Sequence, residues 1–168
     1  MFGLGAGLLH PAAGLDHVLA MVAVGILATQ TAGISLWVLP IVFVSTMAAA
    51  SFLGFLVGGT PLMEIGVTGS VLILGAVIAL GRALPTAIAV GLVGAFAIFH
   101  GHTHGTEIPA NVGGIGYGAG FMLTTVFLHA VGVVLGVSTR GRGERFHSLA
   151  TRAYGGAIAI AGIALIAT

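Results

Sequence analysis

Apolar positions run through this chain in long unbroken blocks, at 3–28, 36–58, 62–81, 84–101, 116–138 and 152–167, with no period-two alternation between them. A helix crossing a hydrocarbon core about 30 Å thick needs roughly 20 such residues, so each block predicts a transmembrane helix, the last being short. Turn signals separate the blocks: Thr29 to Ser35, Gly59-Thr60-Pro61, the Arg82 to Pro85 step, Ile108 to Ile115, and the hydrophilic stretch Ser138 to Arg152. The expected architecture is an all-α membrane protein, a bundle of six transmembrane helices forming a single domain over residues 1–168. Pro11 and Gly14 mark where the first helix would break.

Composition sharpens this picture. Hydrophobic residues make up 58% of the 168 and charged residues 5%, outside the range of water-soluble domains. The 29 glycines fit closely approaching helices, because small residues let backbones pack where lipid supplies no hydrophobic drive. Pairs such as Gly54/Gly58, Gly116/Gly120 and Gly132/Gly136 are expected contact faces, within the bundle or in a homo-oligomer. The chain has no cysteine, which removes disulfides and thiolate metal sites. A net charge of +1 gives no reason to expect nucleic acid as a partner; the expected partners are the lipid bilayer and a divalent metal ion.

The positions of the arginines orient the chain. All five basic residues are Arg, at 82, 140, 142, 145 and 152. Loops rich in Lys and Arg stay on the cytoplasmic side. Threading six spans from there puts both termini, the turn before Glu64 and the loop after the fourth span outside. Phe2 to Ala28 lacks the basic leader of a signal peptide and carries an Asp-His pair that no cleavable segment needs, so it reads as a span.

Ionisable groups inside such runs are costly, about 2.5 to 3.5 kcal/mol each on insertion scales, and are expected to face protein or a wet cavity. Two stretches carry them: HPAAGLDHVLAM from His10 to Met21, and HGHTHGTE from His100 to Glu107. The topology brings both to the outer side. On a regular helix His17 lies beneath His10, roughly 20° off and about 10.5 Å further along, too far for one ion with bonds of about 2 Å. Either the helix breaks at Pro11 and Gly14, or the histidines are successive stations on a path. The second stretch reads as an exposed run after the fourth span. The nitrogen and oxygen set His10, Asp16, His17, His100, His102, His104 and Glu107 suits Ni, Co, Zn or Cu(II) better than Mg or Ca.

A single buried histidine more often makes an interhelical hydrogen bond than a metal bond; an Asp-His step and a His-x-His-x-His run on one membrane face are hard to explain as packing. Met21, one turn below His17, reads as core filler or a soft inner contact. Thr125 and His129, one turn apart, read either as a polar path inward or as a satisfied pair. Glu64 reads as a helix N-terminal charge, and His147 as a solvated loop residue.

At HPAAGLDHVLAMVAVG (His10 to Gly25) and FHGHTHGTEIP (Phe99 to Pro109) the chain resembles the HupE/UreJ family of nickel and cobalt permeases, with similar helix lengths over nearly its whole extent. The resemblance implies a six-helix protein of the bacterial inner membrane that moves Ni(II), in some members Co(II), toward nickel-enzyme assembly. It places functional weight on His10, Asp16, His17, His100, His104 and Glu107, and less on His102. No nucleotide-binding loop of the G-x-x-x-x-G-K-[ST] type occurs, so transport would be facilitated or ion-coupled. The metal would be cargo, with no resident cofactor and no enzymatic step. The alternative is an intramembrane metal-dependent hydrolase using the same His/Asp set, with an open metal position for activated water.

Overall fold

The computed structural model describes residues 2–31, 35–109 and 113–167. They form seven α-helices: α1 (Phe2–Ala13), α2 (Leu15–Gln30), α3 (Ser35–Val57), α4 (Pro61–Leu80), α5 (Thr86–Thr106), α6 (Gly114–Ser138) and α7 (Glu144–Ile166), with a 3-10 turn at Arg140–Arg142. Helices α3 to α7 are each long and apolar enough to cross a membrane. Large side chains such as Leu9, Phe55 and Val57 stand outward, while Met21, Phe43, Met47 and Leu74 fill the interior. An apolar outer surface is what lipid, rather than water, asks of a helical bundle.

The first apolar block is two helices. Helices α1 and α2 meet at Gly14 with a bend of 82°. Gly14 is extended (φ −98°, ψ 118°), and its carbonyl accepts the first bond of α2 from Val18. Pro11 stays inside α1, so the break expected across Pro11 and Gly14 falls at the glycine. Both halves run along α6 in the same sense: Gly7 abuts Tyr117 and Gly120 abuts Leu4 on α1, while Gly25 abuts His129 and Gly136 abuts Thr29 on α2. Counted as one broken span, the bent pair brings the candidate crossings from five to six.

Three close pairings build the bundle. Helices α1 and α2 lie on α6. Helix α3 runs parallel to α5, with Gly94 near Val42, Gly101 against Met47 and Gly105 against Ser51. Helix α4 runs antiparallel to α7, with Gly162 against Leu72, Gly75 against Ala159 and Gly155 against Ala79. At most of these glycines an added Cβ would overlap the facing backbone, which is how a glycine-rich membrane bundle gains van der Waals contact. Of the expected contact pairs, Gly54, Gly116, Gly120, Gly132 and Gly136 are used within this chain; Gly58 has a φ of 89° and opens the turn into α4.

Two expectations are corrected. The run from His100 is not an exposed loop beyond a helix ending at 101: α5 continues through Thr106. Gly101, at the expected helix end, and Gly105, which read as a loop residue, approach α3 closely, and that packing outweighs poor helix propensity. The hydrophilic segment before the last helix is also shorter than expected, since α7 begins at Glu144 rather than near 152. His147 lies on its first turns and pairs with the Thr139 hydroxyl at 2.6 Å. The helix directions place all five arginines at one end of the bundle and the start of α2, the end of α5 and the start of α6 at the other.

Candidate metal centre

The break at Gly14 is what aims the first histidines. Any side chain at this position would lie 2.7 Å from both the Asp16 carboxylate and the His17 ring, so the glycine leaves room for the pair it precedes. Asp16 sits in the first turn of α2, where the helix dipole favours an anion. Its Oδ1 accepts the His17 backbone N–H at 2.8 Å and the His17 Nδ1–H at 2.6 Å. The bend takes His10 off the line of α2, and the His10 and His17 rings both reach that of His104, at 5.2 Å and 4.2 Å.

On α5, His100 and His104 are four residues apart and share a face. The His104 ring lies 4.2 Å from that of His17 and 4.0 Å from that of Phe121. The His100 ring lies 5.1 Å from that of His17. His102, two residues from each, points elsewhere: it is half-buried and belongs to neither cluster described here.

Two overlapping groups result among the described residues. His17, His100 and His104 each bring one ligand atom to within 4.8 Å of the others, and all three are buried. His10, His104 and Glu107 do the same nearer the surface. His104 belongs to both.

The hydrogen bonds behind the inner group decide its chemistry. His17 gives Nδ1–H to Asp16. The Ser70 hydroxyl donates to the Val67 carbonyl at 2.6 Å and therefore accepts Nε2–H from His100 at 2.9 Å. His104 gives Nδ1–H to Glu107 at 3.2 Å. Each ring is thereby held in one tautomer, and the nitrogens left without a partner are His17 Nε2, His100 Nδ1 and His104 Nε2. Buried polar atoms are normally bonded; three clustered imidazole lone pairs, each backed by an acceptor on the opposite nitrogen, are a group that could hold a metal ion.

The outer group is arranged differently. Glu107 Oε2 accepts from both His10 Nε2, at 2.9 Å, and His104 Nδ1. These two bonds hold the carboxyl well below the usual carboxylate range, so Glu107 stays charged at neutral pH and loses that charge only in strong acid.

The structure therefore gathers six of the seven expected residues, with Asp16 standing behind His17 rather than inside either group, and leaves His102 apart. Sequence reasoning missed Ser70, Tyr117 and Phe121. Ser70 is one of two hydroxyl side chains, with Thr68, in a largely apolar helix, and only the packing of α4 against α5 reveals its partner.

Comparison with known proteins gives the family. The family model described as HupE / UreJ protein matches residues 1–165. Protein HupE of Rhizobium leguminosarum bv. viciae is 42% identical over 161 residues, covering 96% of this chain and 83% of that protein. No solved structure matches the chain. The chain belongs to the HupE/UreJ family.

Proposed function

Taking that membership as the starting point, we propose that this chain is a secondary permease that carries Ni(II), with Co(II) as a second cargo, across the bacterial inner membrane to supply nickel-enzyme assembly. The observation that carries the reading is the set of three unpartnered imidazole nitrogens, buried among apolar helices and joined through His104 to a carboxylate-containing group at the surface. Imidazole nitrogens suit Ni(II) and Co(II). The arginines at the opposite end of the bundle favour the cytoplasm, which supports the reading that the histidine end and both termini lie outside. An ion would exchange water first for His10, Glu107 and His104, then for His104, His17 and His100. Passing the shared ligand from one group to the next keeps the charge compensated throughout, and modest affinity at each step lets the ion leave as readily as it enters.

A metal hydrolase needs an open metal position facing a substrate cleft and a base beside it. The carboxylates near these histidines, Asp16 and Glu107, are both engaged by imidazoles, so we propose no enzymatic role.

The test is uptake of Ni(II) into sealed vesicles containing only this protein: saturable uptake without ATP supports the reading, and uptake no faster than in empty vesicles contradicts it. A cysteine at Ser148 should react with impermeant thiol reagents from the cytoplasmic side alone, and one at Thr106 from the outer side alone.

A further inference from the structure

Beyond the two groups, one more histidine lies inside the bundle. His129 on α6 is 1% exposed, and neither of its ring nitrogens has a partner. A polar group left unbonded in an apolar interior costs about 1–3 kcal/mol, so a buried imidazole with both nitrogens idle needs an occupant. Its surroundings show which. The Phe43 ring of α3 stands against His129 with centroids 5.1 Å apart and ring planes at 88°, and the same ring lies 5.6 Å from that of His100. Phe43 thus packs against both His129 and His100, the innermost of the clustered histidines. One turn back along α6, the buried Thr125 hydroxyl donates to the Phe121 carbonyl, which leaves its oxygen lone pairs free to accept or ligate.

The architecture gives this arrangement a way to open. His10, His17 and His129 ride on the pair formed by α1 and α2 with α6, whereas Phe43, His100 and His104 ride on the pair formed by α3 and α5. The seam between the two pairs is loosely filled. A groove of about 540 Å³ between α3 and α6 is lined in part by His129, Met122 and Ala48. A smaller cavity of about 110 Å³ shares Met122 and Ala48 and reaches His104. A small sliding of α3 along α6 would withdraw Phe43 from the two imidazoles, the kind of shear that packed helices undergo.

We propose that His129 is a third, inner metal station, with Thr125 as its oxygen partner, which receives the divalent ion from His100 when Phe43 moves aside. It rests on the permease reading and extends it by one step, from binding at the outer end to passage through the middle of the membrane. In the arrangement seen here Phe43 packs on both imidazoles, so on this proposal it has to move for an ion to pass from His100 to His129.

Two variants and two measurements test it. His129→Leu should bind Ni(II) in detergent with wild-type affinity, because the outer clusters are untouched, yet its uptake in vesicles should fall by about tenfold or more, the usual cost of disturbing a ligand set. His129→Cys should restore uptake and raise the Cd(II) to Ni(II) uptake ratio about fivefold or more, because thiolate prefers the softer ion; a purely structural role would not move that preference. If His129→Leu does not insert, the metal preference of His129→Cys decides alone. Wild-type uptake in His129→Leu, or an unchanged metal preference in His129→Cys, overturns the inner station and leaves the permease reading standing. Wild-type vesicles that take up no Ni(II) overturn both.

Discussion

The two histidine groups share a ligand and lie on one end of the bundle, but they solve different problems. The outer group is bonded to itself: His10 and His104 both donate to Glu107, so its members are satisfied without metal and must give up those bonds to take an ion. The inner group is bonded to its surroundings: Asp16, Ser70 and Glu107 hold the far sides of the three rings, and the near sides are left unpaired. The first arrangement captures and releases readily. The second is pre-organised and buried. A carrier needs both, one that trades with water and one that holds the ion where water is scarce.

That contrast can be broken most severely at the residue the groups share. His104→Ala should reduce Ni(II) uptake by at least about 100-fold, more than the 10 to 100-fold that loss of a supporting partner costs, with both binding steps lost in calorimetry. Next comes Asp16→Asn, which keeps the shape but removes the anion that fixes the His17 tautomer. Uptake should fall by about 10 to 100-fold with a matching loss of affinity, while circular dichroism and insertion remain those of the wild type. An Asp16→Asn protein of normal affinity would show that the carboxylate does not position His17.

How much of this the sequence discloses differs between the two groups. The apolar blocks and the arginines are enough for an all-helical bundle of five to six candidate spans and a common end for both motifs, because hydropathy and charge act locally. The break in the first span is readable in part: Pro11 and Gly14 mark where it can fall, and only the structure keeps Pro11 inside α1 and puts the break at Gly14. The inner group is not readable in the same way. HGHTHGTE carries two glycines and two threonines, and by propensity it leaves the helix; only the approach of Gly101 and Gly105 to the α3 backbone keeps it helical. Once it is helical, spacing selects His100 and His104 and turns His102 away, an outcome that a loop reading cannot anticipate. Ser70 comes from another helix altogether, and no local pattern marks it.

Smaller effects sharpen the contrast. Glu107→Gln should weaken capture more than passage, since the outer group loses its carboxylate charge while the Gln amide oxygen can still accept the His104 Nδ1–H that keeps Nε2 free for the inner group. Uptake at low Ni(II) should fall by roughly tenfold and recover largely at saturating Ni(II); an equal loss at all concentrations would place Glu107 in the translocation step instead. His102→Ala should change uptake by no more than about twofold, as expected of a side chain outside either group. A large loss there would mean that the run acts as a whole, not through its one face.

The most direct measurement is a crystal structure of the protein soaked in Ni(II), with the metal located by its anomalous scattering. The account predicts an ion about 2.0–2.2 Å from ring nitrogens of His17, His100 and His104, with Asp16 still on the opposite nitrogen of His17 and Ser70 on that of His100. An ion held by His102, or bound directly by Asp16 with His100 turned away, or no ion near these residues at saturating Ni(II), would contradict it.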